Sequence, residues 1–139
     1  MDMLRDALSV RDAVEAYQRS WRADGEEQVR LLELSPTEDA EFVQPNGRTL
    51  GRDAVRRRVA GLAERWPGAR VEITSGIEEH HGYVRYAWSL KRSDSVVLSG
   101  FDLAELAPDG RLRRVVQFFG PMPERQTDST ASPAHGAAR

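Results

Sequence analysis

At Pro67 the hydrophobic rhythm of this chain changes, and that switch divides the fold into a helical half followed by a sheet half. Before it, apolar residues recur at helical spacing. Val10, Val14, Tyr17 and Trp21 fall four, three and four residues apart, which lays one apolar stripe along a helix. Ser9 followed by Asp12 is a capping-box-like start, with Asp in the place Glu usually takes. Asp24-Gly25 interrupts the stripe, and Glu26 to Leu34 reads as a second, shorter helix that ends before Pro36. Ala40 to Gln44 reads as a short strand closed by the turn signal Pro45-Asn46-Gly47. A third helix over Arg52 to Trp66 carries Val55, Val59, Leu62 and Trp66 on one face, and Pro67 stops it.

After Pro67 the period becomes two. Val71, Ile73 and Ile77 are assigned to one strand. In the next, Val84, Tyr86, Trp88 and Leu90 alternate with Tyr83, Arg85, Ala87 and Ser89, so the first set forms the apolar face and looks inward. Val96 to Leu106 and Leu112 to Phe119 complete the set. The connectors His81-Gly82, Ser93-Asp94-Ser95 and Pro108-Asp109-Gly110 are short enough to join antiparallel neighbours. Helices first and a meander afterwards predict an α+β fold, three helices covering one face of an antiparallel sheet.

A chain of 139 residues has room for one core. Residues 1–123 are read as the domain. From Glu124 to Arg139 the chain turns to Ser, Thr, Pro, Ala, Gln and Gly, and this tail is expected to be disordered because it cannot repay its ordering entropy. The formal net charge of −2 gives no footprint for a polyanion, so nucleic acid is not expected as a partner. Lys91 is the only lysine, and the abundance of arginine is read as GC-rich coding. The absence of cysteine excludes disulfides, thiolate metal sites and cysteine nucleophiles. Met1 to Val10 lacks a signal peptide's apolar run, and no stretch approaches the roughly 20 apolar residues that span a bilayer, so a cytoplasmic protein without a membrane partner is expected.

The order of elements, with AVEAYQRSW on the first helix, DAEFVQPNG on the first strand, LGRDAVRRRVAGL on the third helix and SGFDLAELAPDGRLRRVVQFFG over the last two strands, resembles the nuclear transport factor 2-like superfamily. The resemblance runs from about Ser9 to Pro121. SnoaL-like polyketide cyclases and ketosteroid isomerases are the branches it points to. It implies a cone-shaped half-barrel of the cystatin-like kind, a cavity between the concave sheet face and the helices for a small, largely apolar molecule, and a homodimer through the outer sheet face. In the strand from Val96 the alternation itself leaves two faces open. Val96, Leu98, Gly100, Asp102 and Ala104 lie on one, and Val97, Ser99, Phe101 and Leu103 on the other. The resemblance puts Asp102 inside, and Phe101, Leu103 and Phe118 outside.

Tyr17 in AVEAYQ and Asp102 in SGFDLAEL are similar in position to the tyrosine and the protonated aspartic acid with which ketosteroid isomerases hold a developing oxyanion. They are the candidate catalytic residues. Gln44, Tyr86, Trp88, Gln117, Phe119 and Trp21 are the candidate ligand-binding residues. Gln44 stands where isomerases of the family carry the base, and Gln117 where SnoaL-type cyclases carry theirs. An amide cannot abstract a proton, so Asp102 is left as the strong candidate for proton transfer.

Each of these has a plainer reading. Tyr17 is then a core tyrosine, Asp102 an exposed carboxylate paired with Arg85 or Arg113, and the two glutamines satisfy buried backbone. His80-His81 beside Glu78 and Glu79 is not read as a metal site, because adjacent strand residues point to opposite faces. His135 lies in the tail. Arg56-Arg57-Arg58 is read as a solvated helix face. Two functions remain open: a small enzyme doing acid–base isomerisation, cyclisation or hydration, and a non-catalytic binding or dimerisation module that has lost the base. Neither needs a cofactor, and no phosphate-binding glycine motif is present.

Overall fold

The computed structural model describes residues 9–126. The expectations for the extreme amino terminus, for His135 and for the tail from residue 127 on lie outside these residues. Three helices come first: α1 (Val10–Ser20), α2 (Gly25–Leu34) and α3 (Arg52–Arg65). Ser9 caps α1, its side chain accepting from the Asp12 amide at 3.0 Å, which satisfies one of the donors a helix start leaves open. The α1 stripe packs as its spacing requires. Val14 and Tyr17 are buried, while Val10 and Trp21 lie against the same core. Burying a side chain of this kind is worth about 1.5–3 kcal/mol, so the stripe rather than helix propensity holds α1 in place.

Seven strands form one curved sheet: β1 (Pro36–Gln44), β2 (Gly47–Leu50), β3 (Arg70–Ile73), β4 (Glu78–His80), β5 (Tyr83–Arg92), β6 (Ser95–Leu106) and β7 (Leu112–Phe119). The order is β2-β1-β7-β6-β5-β3, with β4 sharing the outer edge of β5. Val84, Tyr86, Trp88 and Leu90 are all buried, and Tyr83 and Arg85 are exposed, as the alternation requires.

The structure corrects four details. The sheet is mixed, because β1 runs parallel to β7 while the other pairs are antiparallel. β1 begins at Pro36 rather than Ala40, its polar Thr37-Glu38-Asp39 being strand despite lacking apolar residues. Past the turn at Pro45-Asn46, Gly47–Leu50 folds back as β2. Ile77 does not extend β3: residues 74–77 loop out, and only Glu78–His80 rejoin β5. That rejoining is closed by a two-residue turn in which His81 (φ 54°) and Gly82 (φ 82°) both take left-handed backbone, the pairing a tight hairpin needs.

The ambiguous phase of β6 has a physical cause. Leu90 pairs with Leu98 but Lys91 pairs with Val96, so Val97 is an extra residue, a β-bulge that moves the alternation by one. Beyond the bulge the faces are clear. Gly100, Asp102 and Ala104 are buried, while Leu103 is 41% exposed and Phe118 on β7 is 47% exposed. Phe101 stacks on Phe118 at 5.1 Å on the outer face. Among the described residues no helix is long and apolar enough to cross a membrane.

Candidate functional site

The strand register sets two rows of side chains across the concave face. In one row Tyr86 lies opposite Asp102 and Asp102 opposite Gln117. β1 runs beside β7 with Val43 paired to Val116, which carries Gln44 up to Gln117, and the Gln44 amide nitrogen donates to the Gln117 carbonyl at 2.7 Å. Four strands thus contribute one polar side chain each to a continuous line. In the neighbouring row Gly100 lies between Trp88 and Phe119, whose rings meet edge to face at 5.9 Å. A Cβ at position 100 would stand 2.1 Å from the Phe118 carbonyl oxygen and 2.7 Å from the Trp88 ring. Glycine is therefore what lets the indole settle close to the backbone.

That placement aims the Trp88 ring nitrogen at the first row. Trp88 Nε1 donates to Asp102 Oδ1 at 2.8 Å, and the Tyr86 hydroxyl donates to Oδ2 at 2.7 Å. Asp102 is 2% exposed. Burial strips the carboxylate of water and pushes its pKa up to about 7, against the opposing hydrogen bonds from Tyr86, Trp88 and Gln117. The alternative pairing of Asp102 with arginine is overturned: Arg85 binds Glu78 at 2.6 Å, and Arg113 binds Glu105 at 2.8 Å.

Tyr17 projects from α1 into the same space, stacked on Phe42 at 6.0 Å and edge-on to Trp21 at 6.4 Å. Burial, and then the charge of Asp102, hold its hydroxyl well above the usual tyrosine range. Tyr86 is raised for the same two causes. Both phenols therefore remain protonated donors at neutral pH. The donors to Asp102 are Tyr86 and Trp88, with Gln117 beside them, so the tyrosine and aspartic acid singled out in the sequence share the cavity without sharing a hydrogen bond.

Between the sheet and the helices lies a cavity of about 590 Å³. Tyr17 and Asp102 line it, as do Trp21, Gln44, Tyr86, Trp88, Gln117 and Phe119. The sequence reading missed its α3 wall. Arg58, Leu62, Arg65 and Trp66 face it, and Arg65 lies 5.6 Å over the Trp66 ring. Arg58 corrects the reading of the arginine run as one solvated face. Arg56 and Arg57 are exposed, with Arg56 on Asp53, whereas Arg58 turns inward and partial burial lowers its pKa. A spacing-based reading of the whole helix face, 58-61-62-65, would have found it. His80 and His81 are exposed at the β4–β5 turn and are not among the cavity's lining residues.

Three helices laid on a curved sheet around a lined cavity define the nuclear transport factor 2-like, or cystatin-like, class of fold. The chain belongs to the SnoaL-like domain family, whose model matches residues 10–115. Its fold is similar to that of a candidate isomerase of the SnoaL-like family from Agrobacterium tumefaciens str. C58, at 22% identity and a TM-score of 0.71 over 78% of this chain and 95% of that one. A cystatin-fold protein from Methylobium petroleophilum PM1 aligns at 17% identity with a TM-score of 0.65, over 88% and 84% of the two chains. A candidate SnoaL-like polyketide cyclase from Jannaschia sp. CCS1 aligns at 17% identity and 0.59, over 77% and 84%. No curated protein matches the sequence.

Proposed function

We propose that this protein is an acid–base enzyme of the isomerase or cyclase type, acting on a small, largely apolar molecule with an acidic C–H next to a carbonyl. One observation carries the reading: Asp102 faces the cavity with a pKa of about 7, held between the Tyr86 and Trp88 donors. A carboxyl group poised there is present in both forms at neutral pH, the condition under which proton transfer is most effective. Ionised, Asp102 takes the proton from carbon and leaves an enolate. Returning that proton to a different atom completes an isomerisation; for a ring closure the enolate carbon attacks a second carbonyl, whose C=O π electrons move to oxygen, and that alkoxide takes the proton back from Asp102. Tyr17, protonated at neutral pH and lining the same cavity, donates to the enolate oxygen in this reading. The aromatic walls of Trp21, Trp88 and Phe119 suit a polyketide- or steroid-like body.

A second reading has its own support. Gln44 and Gln117 occupy the positions where a base is expected from the resemblance, and they are bonded to each other. That pattern fits a pocket that binds without turnover.

Deuterium incorporation next to the carbonyl of a panel of apolar ketones, followed by NMR in D₂O, separates the two. The enzyme reading predicts exchange that rises with a midpoint near pH 7 and falls about 10²–10⁴-fold in Asp102→Asn. Equal exchange in the variant and the wild type contradicts it. Ligand-dependent tryptophan quenching without exchange moves the balance to the binding reading.

A further inference from the structure

Two buried atoms of the cavity wall lack hydrogen-bond partners among the described residues, Arg58 Nε and Gln44 Oε1. Behind the wall the same two residues meet Tyr17, Trp21 and Gln117 in a gap too tight to admit a water molecule. An unpartnered donor and an unpartnered acceptor at one end of a cavity are unusual, because buried polar groups are almost always satisfied.

Other arginines of this region are engaged. Arg52 donates to the Pro36 carbonyl, Arg56 lies on Asp53, and Arg65 covers Trp66. Asp102, the carboxylate of the cavity lining, has both oxygens occupied by Tyr86 and Trp88, and Arg58 is not among the groups that move its pKa. Arg58 does act on Tyr17, lowering a hydroxyl that Asp102 raises, which sets Tyr17 between a negative and a positive end of the site. Gln44 spends its amide nitrogen on Gln117.

We infer that Arg58 anchors an anionic group on the ligand, and that the ligand is an aromatic or polycyclic carboxylate. The inference rests on the pocket reading above and narrows its substrate class. A guanidinium presents parallel N–H groups that match a carboxylate, and such a charge-assisted pair outweighs its neutral counterpart. The apolar body then extends along Trp21, Leu62 and Trp88, towards Asp102.

The test uses 3-hydroxy-2-naphthoate and 2-naphthoate, each with its carboxamide, titrated calorimetrically into the full chain. In the wild type each acid binds about tenfold or more tightly than its amide, since a hydrogen bond to a charged group favours the ion by that order. In Arg58→Met the acid-to-amide ratio falls to about one, while Arg57→Met on the exposed side leaves it unchanged. Arg58→Met also keeps or raises the melting temperature, because it removes a partly buried, unpaired charge, and a merely structural arginine would lower it. Acids and amides that bind equally, or a ratio that survives Arg58→Met, overturn the anchor and leave the pocket standing. Failure of all four probes to bind overturns both.

Discussion

Two carboxylates three residues apart on β6 meet opposite fates. Asp102 looks into the cavity, buried, with a phenol and an indole as its partners. Glu105, an odd number of positions along, looks outward and lies between Arg113 and Arg114. Arg114 continues the outer line to Glu41, which Arg48 also binds. Those two arginines hold Glu41 below the ordinary carboxylate range, while burial lifts Asp102 to about 7. One sheet thus pairs its acids with arginine on one side and holds a titratable group between neutral donors on the other. Hydration and the type of partner decide which: arginine fixes the charge, whereas neutral donors leave it adjustable.

The largest effect is expected where the inner face is disrupted. Trp88 is both core and cavity wall, and Trp88→Ala should cost about 3–5 kcal/mol as a core truncation. It also removes one donor to Asp102 and admits water to the carboxyl, two changes that act on its pKa in opposite directions. Denaturant unfolding at pH 7 measures the first, and a loss under about 1 kcal/mol would contradict the packing described. The smallest effect is expected on the outer face. Glu41→Gln should change the melting temperature far less than Trp88→Ala does, with added salt shrinking the difference, because the arginines that hold Glu41 are themselves exposed and screened. Glu41 has a lowered native pKa, so what it contributes is present above its unfolded value and fades as pH falls through the native one. The wild type should therefore lose its small advantage over Glu41→Gln on acidification. An advantage that grows instead would break the contrast between the faces.

Much of the fold was legible because one face of each long element is buried. The α1 stripe, the β5 alternation and the limits of β7 follow from that pressure alone. β2 was not legible: Gly47–Leu50 is a short edge strand with little to bury. Nor was the parallel pairing of β1 with β7, since alternation fixes faces and not neighbours. The inward set of Asp102 depended on a bulge at Val97 that no pattern announces, with small Gly100 and Ala104 on either side giving no phase signal. Tyr86 was named for the cavity but its role as a donor to Asp102 needed the β5–β6 register. Arg58 was hidden in a run of three arginines, where only the rotation of α3 separates one from the others.

The central claim is that Asp102 is a buried, neutral-range acid, and direct titration tests it. The ¹³C carboxyl signal that disappears in Asp102→Asn should titrate in the wild type with a midpoint near pH 7. Stability should follow. The native pKa lies above the unfolded value of 3.8, so between those pH values the native state holds a proton the unfolded state has released. Stability contributed by Asp102 is then full below about pH 4 and is lost as pH rises to about 7, a span of about three units or about 4 kcal/mol. Asp102→Asn should lack that slope. A carboxyl midpoint near 4, with no difference in slope between the two proteins, would contradict the account.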